Sequence, residues 1–522
     1  MIKVVHSVID AVVRLCGVYA QAIDWSHSYE KLEDKNSMEL EGVCEMNHVI
    51  NIIKCTIEKL HEMGIVAANN GGSLVSILNV SWKGVVTLLQ LGGGVLAVKV
   101  NVSDIISTLI SLVNESLKSA AEAWSSPLKE TVSATEARRK FLPVKFYLIN
   151  AVKISALYPC RAYTIYRDLT HCILMISTFK LSMSNERLLK TASEVYTELL
   201  EKTSFDLFNS LLNSDQVMQN SKLEVLDRLF VDKSMENADA NDHNYPPTLD
   251  EIFSLSSQLF SGASTILLGR VALFLSLLRH SVDLEEGIKV EMARKLEWVL
   301  NTLIDEGVYS SILVLQIPVL CGFGKNVELA WQPIFSSLLD ALKAFMVVVS
   351  SSVAWTEVES FLLENLFHPH FLCWEIVMEL WCFVIRYAQP EMVTCFFEKL
   401  CSLMKLMASS ESVLVPGSGM RKLARSISML VNFGPQSIAD HVLKSVIGDD
   451  ISQLSSVVCL ALFMEGFPLN LLSDKLRSAA TQRILADYYV FIESFEDKAT
   501  KTCNDGVFGV PIFALSASLQ SL

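Results

Sequence analysis

His368, His370 and Cys373 put three potential zinc ligands within six residues, in the order HxHxxC. Imidazole nitrogen and thiolate sulfur are ordinary zinc donors, but a structural zinc site takes four ligands. No second ligand pair stands at a suitable spacing, and Pro369 with Phe371 reads as a turn leading into an apolar helix. Packing is therefore the expected role of all three. His171 and Cys172 are adjacent, yet a Cys–His nucleophile needs a third group to orient its base, and none is indicated. Glu375 and Glu379 lie one helical turn apart; a solvated stripe explains them better than acid–base catalysis. Gly322-Phe323-Gly324-Lys325-Asn326 lacks the first glycine and the final hydroxyl of a phosphate loop. Pro416-Gly417-Ser418-Gly419 could turn backbone N–H groups toward a phosphate at a helix start, but so short a match reads as a simple loop. GxSxG and HExxH patterns are absent. The expectation is no catalytic residue, no metal, no cofactor and no enzymatic activity.

These residues sit in a chain whose apolar period is helical nearly throughout. In its first half, helices are predicted over residues 2–23, 46–63, 74–91, 103–124, 134–157, 162–179, 185–202 and 221–230. In the second they cover 248–260, 264–279, 284–305, 308–320, 327–350, 356–366, 371–388, 390–408, 420–431, 437–447, 451–465 and 473–495. Alternating strand patterns of useful length are missing. Within 371–388 the only charges are Glu375, Glu379 and Arg386. Steps of four and seven residues bring all three to one narrow stripe. The rest of that helix is apolar, so neighbours must cover it nearly all round. It belongs inside a large helical stack.

Helix–turn–helix pairs recur at roughly 40 residues, the spacing of HEAT and armadillo units, with no residue motif repeating at that period. The expected fold is all-α, an irregular HEAT/armadillo-like helical solenoid. Residues 1–230 are expected to form an N-terminal helical block and 252–522 a C-terminal one. Residues 231–251, acidic and holding Pro246-Pro247, are expected to link them. The apolar pattern of 506–522 stops without a polar outer face, so the chain is expected to be a fragment or short isoform of something longer.

The 522 residues are 51% hydrophobic and 19% charged, with mean hydropathy +0.38. Disorder is excluded for most of the length. A membrane-spanning helix needs about 20 mostly apolar residues; the longest charge-free runs are diluted by serines or broken by Pro318. No membrane association is expected. A net charge of −14 is the wrong sign for coating nucleic acid, and direct nucleic-acid binding is not expected. Basic clusters at Arg138, Arg139, Lys140 and Lys145, and at Arg421, Lys422 and Arg425, read as solvated helix ends. Twelve scattered cysteines without a CxxC suit a reducing compartment.

The segment FHPHFLCWEIVMELWCFVIRYA, residues 367–388, resembles the fidgetin-like-interacting protein family, called FLIP or MEICA in plants. The likeness is carried by the entry His368, Pro369, His370 and Trp374, then by Leu380, Trp381, Cys382, Phe383, Arg386 and Tyr387. Residues 72–90, GSLVSILNVSWKGVVTLLQ, also resemble the plant members. The resemblance implies a non-enzymatic nuclear scaffold that partners a fidgetin-like AAA ATPase. Through that complex it would act on RecA-type recombinases in homologous recombination and DNA repair, limiting crossovers in meiosis. The family offers no catalytic residues to carry over, so the signature residues are expected to be structural. The competing expectation is a helical-repeat adaptor in transport or trafficking.

Overall fold

The computed structural model describes residues 2–21, 40–70, 74–91, 96, 98–125, 130–230, 263–321, 328–408, 417–447, 454–498 and 510–520. The fold is all-α and solenoid-like, as the helical period implies. It divides into two compact units, Met1–Glu357 and Val358–Leu522. The expected linker 231–251 and the expected helix 248–260 lie outside the described residues.

The first unit opens with α1 (Ile2–Gln21), α2 (Leu40–Asn69) and α3 (Val75–Leu89), then α4 (Val102–Ser125) and α5 (Ala134–Leu157). The short α6 (Pro159–Tyr163) leads to α7 (Tyr166–Asn185), α8 (Lys190–Leu212) and α9 (Gln219–Leu229). Next come α10 (Ala263–Arg279), α11 (Glu286–Arg294), α12 (Leu296–Leu303) and α13 (Glu306–Val314). Two strands, β1 (Gln316–Cys321) and β2 (Glu328–Pro333), precede α14 (Ile334–Val349), and α15 (Trp355–Glu364) begins in this unit and continues past its end at Glu357. α5 packs on α4 and α8, while α7 touches α4, α8 and α10. The helices before and after residues 231–262 thus share one unit.

Local signals explain several boundaries. Ser133 caps α5, its hydroxyl accepting from the Glu136 N–H at 3.2 Å. Pro143 removes one backbone donor inside α5 without ending it. α7 buries fourteen side chains between Leu169 and Ser184. Its middle feeds an aromatic cluster in which Trp124, Phe141, Phe179 and Tyr196 meet at 4.9–6.4 Å between ring centroids. The Tyr196 hydroxyl donates to Ile176 O at 2.7 Å, so its polar tip is satisfied in the core. A second cluster joins Phe230, Phe274 and Trp298.

The hairpin corrects the expectation of helices over 308–320 and 327–350. α13 stops at Val314, and Gln316 to Cys321 pair antiparallel with Glu328 to Pro333. The apolar run there has no period that separates strand from helix. Pro318 opposes helix in its middle and is harmless in the strand. The Ile334 N–H donates to Leu315 O at 3.0 Å. That bond sets the hydrogen-bonded pairs at odd positions of β1, so Pro318 faces Trp331 in a non-hydrogen-bonded pair. Trp331 fixes the hairpin to α8: its indole N–H donates to Glu194 Oε1 at 2.7 Å, and Lys190 Nζ lies 5.2 Å from its ring. Two other predicted helices are each divided, 162–179 before Tyr166 and 284–305 at Lys295.

The second unit holds α16 (Phe371–Tyr387), α17 (Pro390–Met407), α18 (Gly419–Val431), α19 (Gln436–Ile447), α20 (Leu454–Met464), α21 (Asp474–Lys498) and α22 (Val510–Gln520). α17 packs on α18, α19 and α20, and α20 on α18 and α22. No described helix is long and apolar enough to cross a membrane.

α7 and α10 approach unusually closely at Gly269. A Cβ there would fall 2.2 Å from Thr178 Oγ1 and 3.1 Å from Thr178 Cα, and Ser177 Oγ donates to Gly269 O at 2.8 Å. Gly17, mid-helix in α1, has nothing within 4 Å. Gly269→Ala should therefore lower stability by about 1–3 kcal/mol through overpacking, while Gly17→Ala should raise it by up to about 1 kcal/mol through helix propensity. Urea denaturation followed by circular dichroism reads both; equal effects would refute the close approach.

Candidate functional site

The chemistry-bearing segment 368–387 folds as a turn and a buried helix. The Asn365 carbonyl accepts from the His368 N–H at 3.0 Å, and the His370 carbonyl from the Trp374 N–H at 3.0 Å. His370 stands at the N-cap of α16 with extended backbone. His368 Nδ1 accepts the His370 backbone N–H at 3.1 Å, which ties one candidate zinc nitrogen to the turn itself. Cys373 is buried in the core, while both histidines are half-buried and Pro369 is exposed. Burial pushes the Cys373 thiol up to about 11, away from the thiolate that metal binding needs. No group of three or more His, Cys, Asp or Glu poised to hold a metal occurs among the described residues.

α16 itself follows the sequence pattern closely. Its buried side chains are Leu372, Cys373, Trp374, Ile376, Val377, Met378, Leu380, Trp381, Cys382 and Ile385. Glu375 and Glu379 are half-buried and Arg386 is exposed, so the charged stripe faces outward. Trp381 donates its indole N–H to Leu362 O at 3.2 Å and stacks on Phe396 at 4.4 Å. Phe383 lies 4.9 Å from Tyr387, ring to ring. Of the signature residues, Trp374, Leu380, Trp381 and Cys382 are core, and Tyr387 is 70% exposed.

Sequence reasoning named Arg386 and Arg425 but missed the aromatic rings on which both lie. Arg386 places its guanidinium 5.2 Å from the Phe433 ring. Arg425, from α18, lies 5.0 Å from Trp374 and 5.9 Å from Phe371. Basic and aromatic residues therefore meet here from positions far apart in sequence, where no local pattern announces it.

The other candidates disperse. Cys172 is wholly buried and its thiol is raised by desolvation. His171, beside it on α7, is held down to about 4, first by burial and then by the Arg228 charge. Neither state suits a Cys–His nucleophile, which needs a thiolate and a basic imidazole. The glycine-containing segment 322–326 and Pro416 lie outside the described residues. Ser418 serves as the N-cap of α18, its hydroxyl accepting from the Arg421 N–H at 3.3 Å. In the basic clusters, Arg138 pairs with Glu198 at 3.2 Å, and Arg421 Nε donates to Glu465 at 2.7 Å.

The model of a family described as a domain of unknown function (DUF4487) matches residues 75–517, so the chain belongs to that family. No curated protein matches the chain. No solved structure matches it.

The two perturbed groups on α7 and α16 give measurable outcomes. The unfolded chain protonates His171 near 6.5, whereas the folded chain resists until about 4. Its contribution to stability is therefore present above 6.5 and is lost as pH falls through that window. His171→Asn should flatten the fall in stability between pH 6.5 and 4, read from urea midpoints; an unchanged slope would assign the titration elsewhere. Burial likewise predicts that Cys373, Cys401 and Cys459 resist alkylation at pH 8 while exposed Cys55, Cys160 and Cys395 react. Mass mapping after iodoacetamide treatment reads this, and labelling of Cys373 in the native protein would contradict its packing.

Proposed function

We propose that this member of the DUF4487 family is a non-enzymatic helical scaffold that partners a fidgetin-like AAA ATPase. Through that ATPase it regulates RecA-type recombinases in the nucleus, restraining strand invasion and limiting meiotic crossovers. The observation that carries the reading is the segment 367–388, whose likeness to the fidgetin-like-interacting proteins extends over both its entry and its second half. The family model spans this segment and nearly all of the other similar stretch, 72–90.

The physical picture agrees in kind. Stacked helices present grooves that take partner helices or extended peptides. The signature helix α16 contributes ten buried residues to its unit, so its first role is to hold a surface in shape. Its outward residues, Phe371, Arg386 and Tyr387, are exposed and are of the kinds that anchor protein interfaces.

Co-purification tests the reading. A tagged full chain should retain a fidgetin-like ATPase, and the ATPase should bring a RecA-type recombinase with it. Arg386→Ala combined with Tyr387→Ala should weaken ATPase retention at least fivefold while leaving the melting temperature unchanged. A chain that retains neither protein removes the assignment and leaves the transport-adaptor reading in its place.

A further inference from the structure

A cavity of about 640 Å³ opens in the second unit where α18, α20 and α22 end. Its wall includes Arg425, Asn432, Glu465, Asn470 and Gln520. That volume lies within the range of ligand-binding sites, but the lining is polar, unlike a pocket for a greasy small molecule. Glu465 is the acidic residue of this wall, and it is engaged by Arg421 at 2.7 Å.

Arg425 is in a different position. Among the described residues no carboxylate pairs with it; its contacts are the rings of Trp374 and Phe371. Several cations that bridge elements here do have acid partners: Arg138 with Glu198, Lys180 with Glu201, Lys222 with Glu285 and Arg294 with Glu357. Trp374 is buried and Phe371 is 59% exposed. A guanidinium lying on aromatic rings keeps the N–H groups at its edge free to meet a carboxylate in the plane. It is also already ordered, which reduces the side-chain entropy lost on binding.

We propose that this cavity docks a peptide segment of a protein partner, with a carboxylate on Arg425 and a large apolar side chain beside it on Phe371. The carboxylate is an acidic side chain within the segment, and a chain terminus is an outcome the test separates. Asn432, Asn470 and Gln520 offer amide groups to the peptide backbone running past. Glu375 and Glu379, one and two turns beyond Phe371 on the outward stripe of α16, disfavour a run of acidic residues. The ligand is therefore a single carboxylate next to an apolar anchor, continued by neutral or basic residues. Nucleic acid fits less well, because one stacked cation beside two glutamates is no backbone-tracking groove. The inference does not depend on the ATPase partner proposed above, since it is read with synthetic peptide.

Fluorescence anisotropy with the full chain tests it. The probe is a fluorescein-labelled, C-terminally amidated dodecapeptide of Gly and Ser with Glu-Leu at its centre. A second probe carries Gln-Leu, a third Glu-Ser, and a fourth ends in a free carboxylate after Leu. The Glu-Leu probe should bind with a Kd of about 10–300 µM, in the range of weak transient recognition; binding by the carboxylate-terminal probe alone would overturn the acidic side chain as the source. Gln-Leu and Glu-Ser should each bind at least fivefold more weakly. Arg425→Gln should weaken binding at least tenfold, Arg425→Lys less, and Phe371→Ser about fivefold, all with unchanged melting temperature because both side chains reach solvent. Absence of binding by the Glu-Leu probe at 1 mM would overturn the proposal. So would equal binding by Arg425→Gln, or stronger Arg425-dependent binding of a (dT)12 oligonucleotide.

Discussion

Helices with only a narrow polar stripe need cover on nearly every other side, and the rest of this architecture follows from meeting that need. α7 keeps fourteen of its side chains from solvent and α16 keeps ten. Neither could stand at a surface without exposing several hundred Å² of apolar area, beyond what monomeric proteins ordinarily tolerate. α7 is therefore enclosed by α4, α8 and α10. Enclosure at that density demands small residues where backbones meet, and Gly269 against Thr178 is such a place. It also demands partners for the few polar atoms carried inward. Lys180 reaches Glu201 at 3.1 Å, and the buried Lys222 is joined to Glu285. A charge lost from either pair would strand the other in low dielectric, where it is far costlier than an exposed pair is beneficial.

How much of this was legible in the sequence depends on the length of the signal. Residues 134–157 form a helix with the predicted ends, because the helical apolar period stops there and Ser133 caps the start. The helix 371–388 matches to one residue, since three charges on one stripe leave a single way to bury the rest. The hairpin was not legible. Its strands are six residues each, too short to establish a period of two, and the apolar run into α14 reads as helix. The contact that holds it, Trp331 with Glu194, spans 137 positions. No local pattern carries such a distance.

The same limit governs the candidate site. HxHxxC suggests chemistry because three donors stand close in sequence. Folding separates them: a helix N-cap and its preceding turn keep the histidines near solvent, while the first turn of α16 carries Cys373 into the core. What folding brings together instead is Arg425 with Trp374 and Phe371, and Arg386 with Phe433, pairs far apart along the chain and invisible as motifs. The surface chemistry of a helical stack is made between helices, so proximity along the chain is a poor guide to it.

That distinction bears on what the likeness to a family can mean physically. Trp374, Leu380, Trp381 and Cys382 are interior, so their side chains decide how α16 packs rather than what it touches. A resemblance built on interior residues speaks first to shared architecture. Contacts with anything outside the stack fall to the outward residues of the same helix and its neighbours, and these are exposed Phe371 and Tyr387, an acidic stripe at Glu375 and Glu379, and guanidinium groups laid on rings. Rings beneath a cation remove little of its charge yet restrict its motion, so such groups are preset for recognition in a way that a mobile surface lysine is not. Rigid helices hold contacts of this kind in a fixed arrangement, and that arrangement is the physical basis on which a helical stack would choose a partner.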